Sequence, residues 1–588
     1  MFNLAGSERN VPSASRLADG GIPATPIEVQ VLVRPKEAFP TGAELGAWRR
    51  PPLSHDELAE KHGAAPEDLA LVEKFAAANG LQIRESNPRS RIVRLSGTPA
   101  ELAAAFQLDL GLYQSGSDTF LSHTGPVSLP DYLQDVVIWV FGLDRSRAVK
   151  KSVGTSLVDK SPSRVSSKNL AQLSTSPRTP LPAGGPVSVS YTAPELARLY
   201  DFPDLDGAGS GQCVGMIQLD GGYLPGDISA YFEALGIKPP QIVSLNENTS
   251  SSDPISNYQV TQNLEVTGAV VPSARLVVYN QNSASQTLID YYTIFSAAIH
   301  DEVNHPSVLV NTWFFTENTH AVPSLGVEKG ELVAFEALFA SAALLGITIC
   351  SASGSQGALC SVALVQGTYA TLTSVPGTSL PAVGYPASSP WHLAVGGTTL
   401  YADNLGIQSE VVWSRLADWL AVGGFPSNGG ATGGGVSGFW ARPAYQGSAG
   451  VPEAITYSWN NGAFVAGVPF VGRGVPDVAG AADLFTGYDI YFDGAWGVGG
   501  GTGLTSPLWG ALMALYNQAL GARLGFVNPM LYDLQINHEA GAFRPIVSGG
   551  NGAFQASASA PWNACCGLGS PRGGRLLAAI TEYLRASP

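Results

Sequence analysis

Apolar and polar residues alternate along Ile27-Glu28-Val29-Gln30-Val31-Leu32-Val33 and again along Arg91-Ile92-Val93-Arg94-Leu95-Ser96-Gly97. This is the period-two pattern of strands with one face buried. Pro66-Glu67-Asp68 opens a segment running through Phe75, and Thr98-Pro99-Ala100-Glu101 opens another through Phe106. Proline and acids in a first turn suit the unpaired N–H groups and positive end of a helix, so both segments are expected to be helical. With the apolar run Val137-Ile138-Trp139-Val140-Phe141, residues from about 27 to 145 read as a compact α+β domain. From 146 to 187 serine, proline, lysine and threonine dominate without periodicity, the composition of a linker.

The remainder changes pattern. Cys213-Val214-Gly215-Met216-Ile217-Gln218-Leu219, Ala274-Arg275-Leu276-Val277-Val278-Tyr279, Ser307-Val308-Leu309-Val310-Asn311 and Gly346-Ile347-Thr348-Ile349-Cys350 are short, nearly continuous apolar runs, as in strands of a parallel sheet buried on both faces. Helical stretches, 285 to 302 and 328 to 345, fall between them. Such alternation predicts an α/β doubly wound, mostly parallel sheet, with any ligand site beyond the carboxyl ends of the strands. Near the end, Gly499-Gly500-Gly501-Thr502-Gly503 turns into the apolar stretch 504–515, a glycine turn feeding a buried helix.

Composition narrows the function classes. The 47 acidic against 32 basic residues give a net charge of -15, which argues against a nucleic-acid surface. No apolar run is long enough to span a bilayer, so no membrane partner is expected. After Lys168 only Lys238 and Lys329 remain, which suits an acid-tolerant surface. Cys213, Cys350, Cys360, Cys565 and Cys566 fit neither a disulfide framework nor a zinc pattern; Cys213 and Cys350 read as buried core thiols, and a Cys350–Cys360 bridge is left open. The first residues lack the basic and apolar regions of a signal peptide, so a cytoplasmic or non-classically exported protein is expected.

Several local motifs occur in a fixed order: Tyr191-Thr192-Ala193-Pro194-Glu195-Leu196, Tyr385-Pro386-Ala387-Ser388-Ser389-Pro390, Gly433-Gly434-Gly435-Val436-Ser437, Arg473-Gly474-Val475-Pro476-Asp477-Val478-Ala479 and Gly567-Leu568-Gly569-Ser570-Pro571. Together with the run from His55-Asp56-Glu57-Leu58-Ala59 to Phe141-Gly142-Leu143-Asp144, they resemble the sedolisin family of serine-carboxyl peptidases over nearly the whole chain. The resemblance implies an activation prodomain at 1–145, a linker at 146–187 and a subtilisin-like domain at 188–588. It also implies a serine nucleophile, a glutamate base with an aspartate one helical turn away, and an aspartic acid for the oxyanion.

Residue by residue, those groups are replaced. Counting back from Glu265-Val266-Thr267-Gly268 puts Gln259 at the base and Asn263 at its aspartate partner. Ser353-Gly354-Ser355-Gln356-Gly357 puts Ser355 at the oxyanion acid, and Gly503 stands at the nucleophile. Glu265 faces elsewhere on the helix, and Ser506, three residues beyond Gly503 and just before Pro507, reads as a packing serine. His392 lies in an apolar run and reads as a strand residue.

The cleft positions implied by the resemblance are Gln218, Trp313, Phe314, Gly434, Gly435 and Thr502. Phe314, at a glycine of the family's substrate-binding strand, is expected to obstruct a peptide laid along that edge. The family's calcium positions correspond to Pro545, Ile546, Ser559, Pro561 and Asn563; without acidic ligands they are expected to hold no calcium, and no other cofactor is implied. The chain is therefore expected to be a pseudopeptidase that keeps its own prodomain and binds a peptide, protein or small molecule in a remodelled cleft. A repurposed enzyme acting on a small molecule without hydrolysis and an acid endopeptidase are the alternatives.

Overall fold

The computed structural model describes the chain apart from residues 10–14, 18–20, 23, 47–50, 116–117, 147–149, 152–189, 283–285, 318–328, 360–381, 416–429, 454–455, 460–461, 466–470, 539–540 and 587–588. Most of the linker expected at 146–187, and Cys360, lie outside the described residues.

The amino-terminal part builds an antiparallel sheet from β1 (Ile27–Val33), β2 (Gln82–Asn87), β3 (Ile92–Gly97) and β4 (Val137–Phe141), in the order β2-β3-β1-β4. Helices α1 (Pro66–Ala78) and α2 (Pro99–Phe106) begin where proline and the acids predict. At α2, Thr98 and Glu101 satisfy each other's backbone N–H in a capping box. β1 departs from its half-buried pattern, because a second layer covers its other face. Gln30 is only 5% exposed and its amide donates to Thr293 Oγ1 at 2.7 Å.

After β5 (Lys150–Lys151) comes an eight-stranded sheet made of β6 (Cys213–Gln218), β7 (Gln241–Ser244), β8 (Arg275–Asn280), β9 (Val308–Asn311), β11 (Thr348–Ala352), β12 (Leu393–Asp403), β13 (Gly406–Val412) and β14 (Val478–Ala481); β10 (Trp313–Thr316) leaves it just after β9. The order is β7-β8-β6-β9-β11-β12-β13, with β14 beside β12, and only β12 and β13 pair antiparallel. The doubly wound, mostly parallel sheet preceded by an α+β unit is thus the architecture read from the sequence.

Alternate residues of one strand enter different cores. Val308 and Val310 face α3 (Pro254–Val270) and α6 (Thr502–Leu520), whereas Leu309 faces α4 (Leu288–Ile299) and α5 (Lys329–Leu344). The second core continues into the amino-terminal sheet, where Phe141 packs on Tyr292 with centroids 4.5 Å apart and the rings tilted by 30°. No helix among the described residues is long and apolar enough to cross a membrane.

Candidate functional site

From Tyr258 onward α3 is buried around its whole circumference although Gln259, Thr261, Gln262, Asn263, Glu265 and Thr267 stand among its apolar residues, which is unusual for a helix in a water-soluble core. Asp253 caps its start by accepting from Ile255 N, and Pro254 follows at the first helical position. Gln259 and Asn263, one turn apart, present their amides to one acceptor. Gln259 Nε2 donates to Thr312 Oγ1, and Asn263 Nδ2 donates to the same oxygen at 3.4 Å. Thr312 lies between β9 and β10, beyond the carboxyl end of β9. Gln259 Oε1 and Asn263 Oδ1 are buried without a protein partner among the described residues.

Gln218, the last residue of β6, accepts from Trp313 Nε1 at 3.0 Å, and Asn311 ties Trp313 down through its carbonyl at 2.8 Å. At the start of α6, Ser355 and Thr502 form a second cluster. Thr502 N–H donates to Ser355 Oγ at 3.1 Å, and Gly354 N–H donates to Thr502 Oγ1 at 3.1 Å. Ser355 thereby satisfies one of the helix's unpaired amino-terminal donors from a distant loop. Gly503 follows, buried in the first turn.

The hydroxyl of Ser506 is directed away from this cluster, to the carbonyls of Cys350 at 2.8 Å and Asn311 at 3.4 Å. Thus Gln259, Asn263, Ser355, Thr502 and Gly503 all lie beyond the carboxyl ends of the strands, and every side chain among them is neutral. Glu265 points elsewhere: it accepts from Tyr491 N–H at 3.0 Å, and burial raises its pKa well above the carboxylate range. His392 pairs Nδ1 with Ser351 Oγ at 2.7 Å, and burial pushes its pKa well down.

The expectation that Phe314 obstructs its edge is corrected by the pairing. Lys150 and Lys151 lie antiparallel to Phe314 and Trp313, so the edge of β10 accepts a strand. The ring avoids that strand because it packs on Ala382 and against Gly384. Gly434 and Gly435 form part of the wall rather than a free loop. A Cβ at Gly434 would lie 2.1 Å from the Ala564 carbonyl, so only glycine fits the close approach.

The positions expected for calcium lie apart from this cluster. Asn563 Nδ2 donates to the Ile546 carbonyl at 3.0 Å, while its Oδ1 accepts from Cys565 N–H and Cys566 N–H at 3.0 Å each. Pro545 and Pro561 are exposed, and Ser559 pairs with Ser557 at 2.6 Å. A hydrogen-bond donor therefore faces the Ile546 carbonyl, and no carboxylate stands among these five residues.

Sequence reasoning missed Thr312, whose short polar side chain sits in an aromatic segment, and Glu317. Glu317 is 3% exposed, accepts from Ser437 Oγ at 2.6 Å, and has its pKa pushed up to about 7 by burial. The only signal for Glu317 was a lone acid one residue beyond β10.

Residues 40–146 match the family described as Pro-kumamolisin, activation domain. Kumamolisin from Bacillus sp. (strain MN-32) is 33% identical over 548 residues, covering 92% of this chain and 87% of that protein. The chain belongs to the sedolisin family. Sedolisin from Pseudomonas sp. (strain 101) is 26% identical over 561 residues, with coverage of 93% and 83%. Tripeptidyl-peptidase sed5 from Aspergillus fumigatus is 26% identical over 631 residues, with coverage of 98% and 97%. The solved Pseudomonas sedolisin (serine-carboxyl proteinase), complexed with two molecules of pseudo-iodotyrostatin, aligns with a TM-score of 0.53 at 25% identity, covering 67% of this chain and 99% of that one. Sedolisin relatives are peptidases by name, and this chain is their homologue over most of its length.

Proposed function

We propose that this sedolisin homologue is a pseudopeptidase that holds an extended peptide segment along β10 without cutting it. The observation that carries the reading is the shared acceptor Thr312 Oγ1. Gln259 and Asn263 both spend an amide donor on it, at the two helix positions where the family's chemistry needs carboxylates. An amide takes no proton from a hydroxyl, and Gly503 offers no hydroxyl to attack with. Loss of nucleophile and base together removes several powers of ten in rate, since such residues act as a unit.

Peptide binding is supported by backbone pairing on β10: Gly384 and Tyr385 take one edge and the chain's own Lys150 and Lys151 the other, so another peptide binds by displacing that short segment. The chain is read as retaining its activation domain, holding no calcium, and having neither a nucleic-acid nor a membrane partner. Family membership alone favours a second reading, an acid endopeptidase. Incubating the purified full chain at pH 3 to 6 with an unstructured peptide library separates the two. The expected result is an intact 61.2 kDa chain and an uncut library. Self-cleavage and library cleavage, both abolished by Ser506→Ala, would overturn the proposal.

A further inference from the structure

The parallel sheet has a second end. At the amino-terminal ends of β6, β7 and β8, opposite the cluster just described, lies a cavity of about 810 Å³. Lys238, Arg275, His305 and Arg523 line it, and no aspartate or glutamate does. In a chain with 47 acidic and 32 basic residues, the grouping of Lys238, Arg275 and Arg523 runs against the overall charge.

Both guanidinium groups are held by neutral acceptors. Arg275 Nη1 donates to Asn304 Oδ1 at 3.0 Å. Arg523 donates to the carbonyls of Pro306 at 3.1 Å and His305 at 2.7 Å. Neither arginine, nor Lys238, forms a salt bridge among the described residues. Asp301 does not line the cavity, and its carboxylate accepts from Tyr279 at 2.8 Å and from the lining residue Asn304 at 2.7 Å. The arginines are thus oriented without a direct ion pair, Asp301 reaching Arg275 only through Asn304, and a planar guanidinium so held can still take an oxyanion.

Pro239, Pro240 and Pro272 supply an apolar side to the cavity. Its size falls within the range of small-molecule sites and exceeds what one phosphate fills. We propose that this cavity binds a small ligand carrying two or more phosphate groups, with any organic body resting on the proline wall.

Calorimetric titration of the full chain at low ionic strength, with tripolyphosphate and with adenosine diphosphate as probes, tests this. One site is expected, weakening as salt is raised. Lys238→Glu, at an exposed position, and Arg275→Gln should each weaken binding about tenfold or more, a loss of about 1.4 kcal/mol or more, with Tm unchanged. Absence of binding by either probe, or binding that Lys238→Glu leaves unchanged, overturns the site. Citrate binding as tightly as tripolyphosphate overturns the assignment to phosphate.

Discussion

Gln259 and Asn263 keep the shape of a glutamate and an aspartate while removing their charge, and the interior around them is arranged for amides. Two N–H donors converge on one hydroxyl; that hydroxyl has a single proton to give, so of two carboxylates in these places only one could stay ionised and still bond to it. Among the described residues two acids with raised pKa lie by β10, Glu336 on the hydroxyl of Tyr385 and Glu317, and the environment of Glu317 has a measurable consequence. Its pKa is raised from the ordinary 4.5 to about 7, so the folded protein binds its proton more tightly than the unfolded chain. The stability it contributes is full below about pH 4.5 and is lost as pH rises through 7. Across that window Tm should fall, with Glu317 accounting for roughly 3 kcal/mol. Glu336, raised to about 8, loses stability in the same direction, so Glu317→Gln, which can still accept from Ser437, should lessen the fall without removing it; an unchanged pH profile in the variant would show that Glu317 is not responsible.

At the scale of elements, the loop around Asn563 is joined by hydrogen bonds of one side chain, and these support our proposal that the chain holds no calcium. One amide side chain donates to the Ile546 carbonyl and accepts from two backbone N–H groups, joining segments that a cation would otherwise bridge. Excess EDTA or added calcium is therefore expected to leave the Tm of the full chain unchanged. Asn563→Asp keeps the acceptor and loses the donor, leaving a carboxylate against a carbonyl, and should cost about 1–3 kcal/mol by thermal unfolding. A fall in wild-type Tm on adding EDTA would contradict this account.

Across the whole molecule, one apolar core joins the amino-terminal sheet to α4 and α5. Trp139 lies directly over Gly330, where a Cβ would come within 2.0 Å of the indole, and Phe141 inserts beside Tyr292 and Phe335. Gly330→Leu must displace the indole and open this seam. Hydrogen exchange should then quicken across β4 and α4 while α6 keeps its protection. A uniform increase throughout the chain would instead indicate general destabilisation. A retained activation domain is proposed from the missing nucleophile and base, and this seam is what holds the domain on α4 and α5.

By itself the sequence determined the alternation of strands and helices, the entry into α6 and the neutral character of the four site positions, because periodicity, helix-start chemistry and residue type are local. It could not reveal that Gln30 is buried, since that follows from a layer folded onto the outer face of β1 from more than 250 residues away. Nor could it place Thr312 between two amides or Glu317 beneath Ser437. It misjudged Phe314, because a bulky residue obstructs an edge only if its ring points there, and packing against Gly384 turns it inward. Such contacts join segments distant in the chain, and only the packed sheet and its two covering layers decide which polar atoms meet.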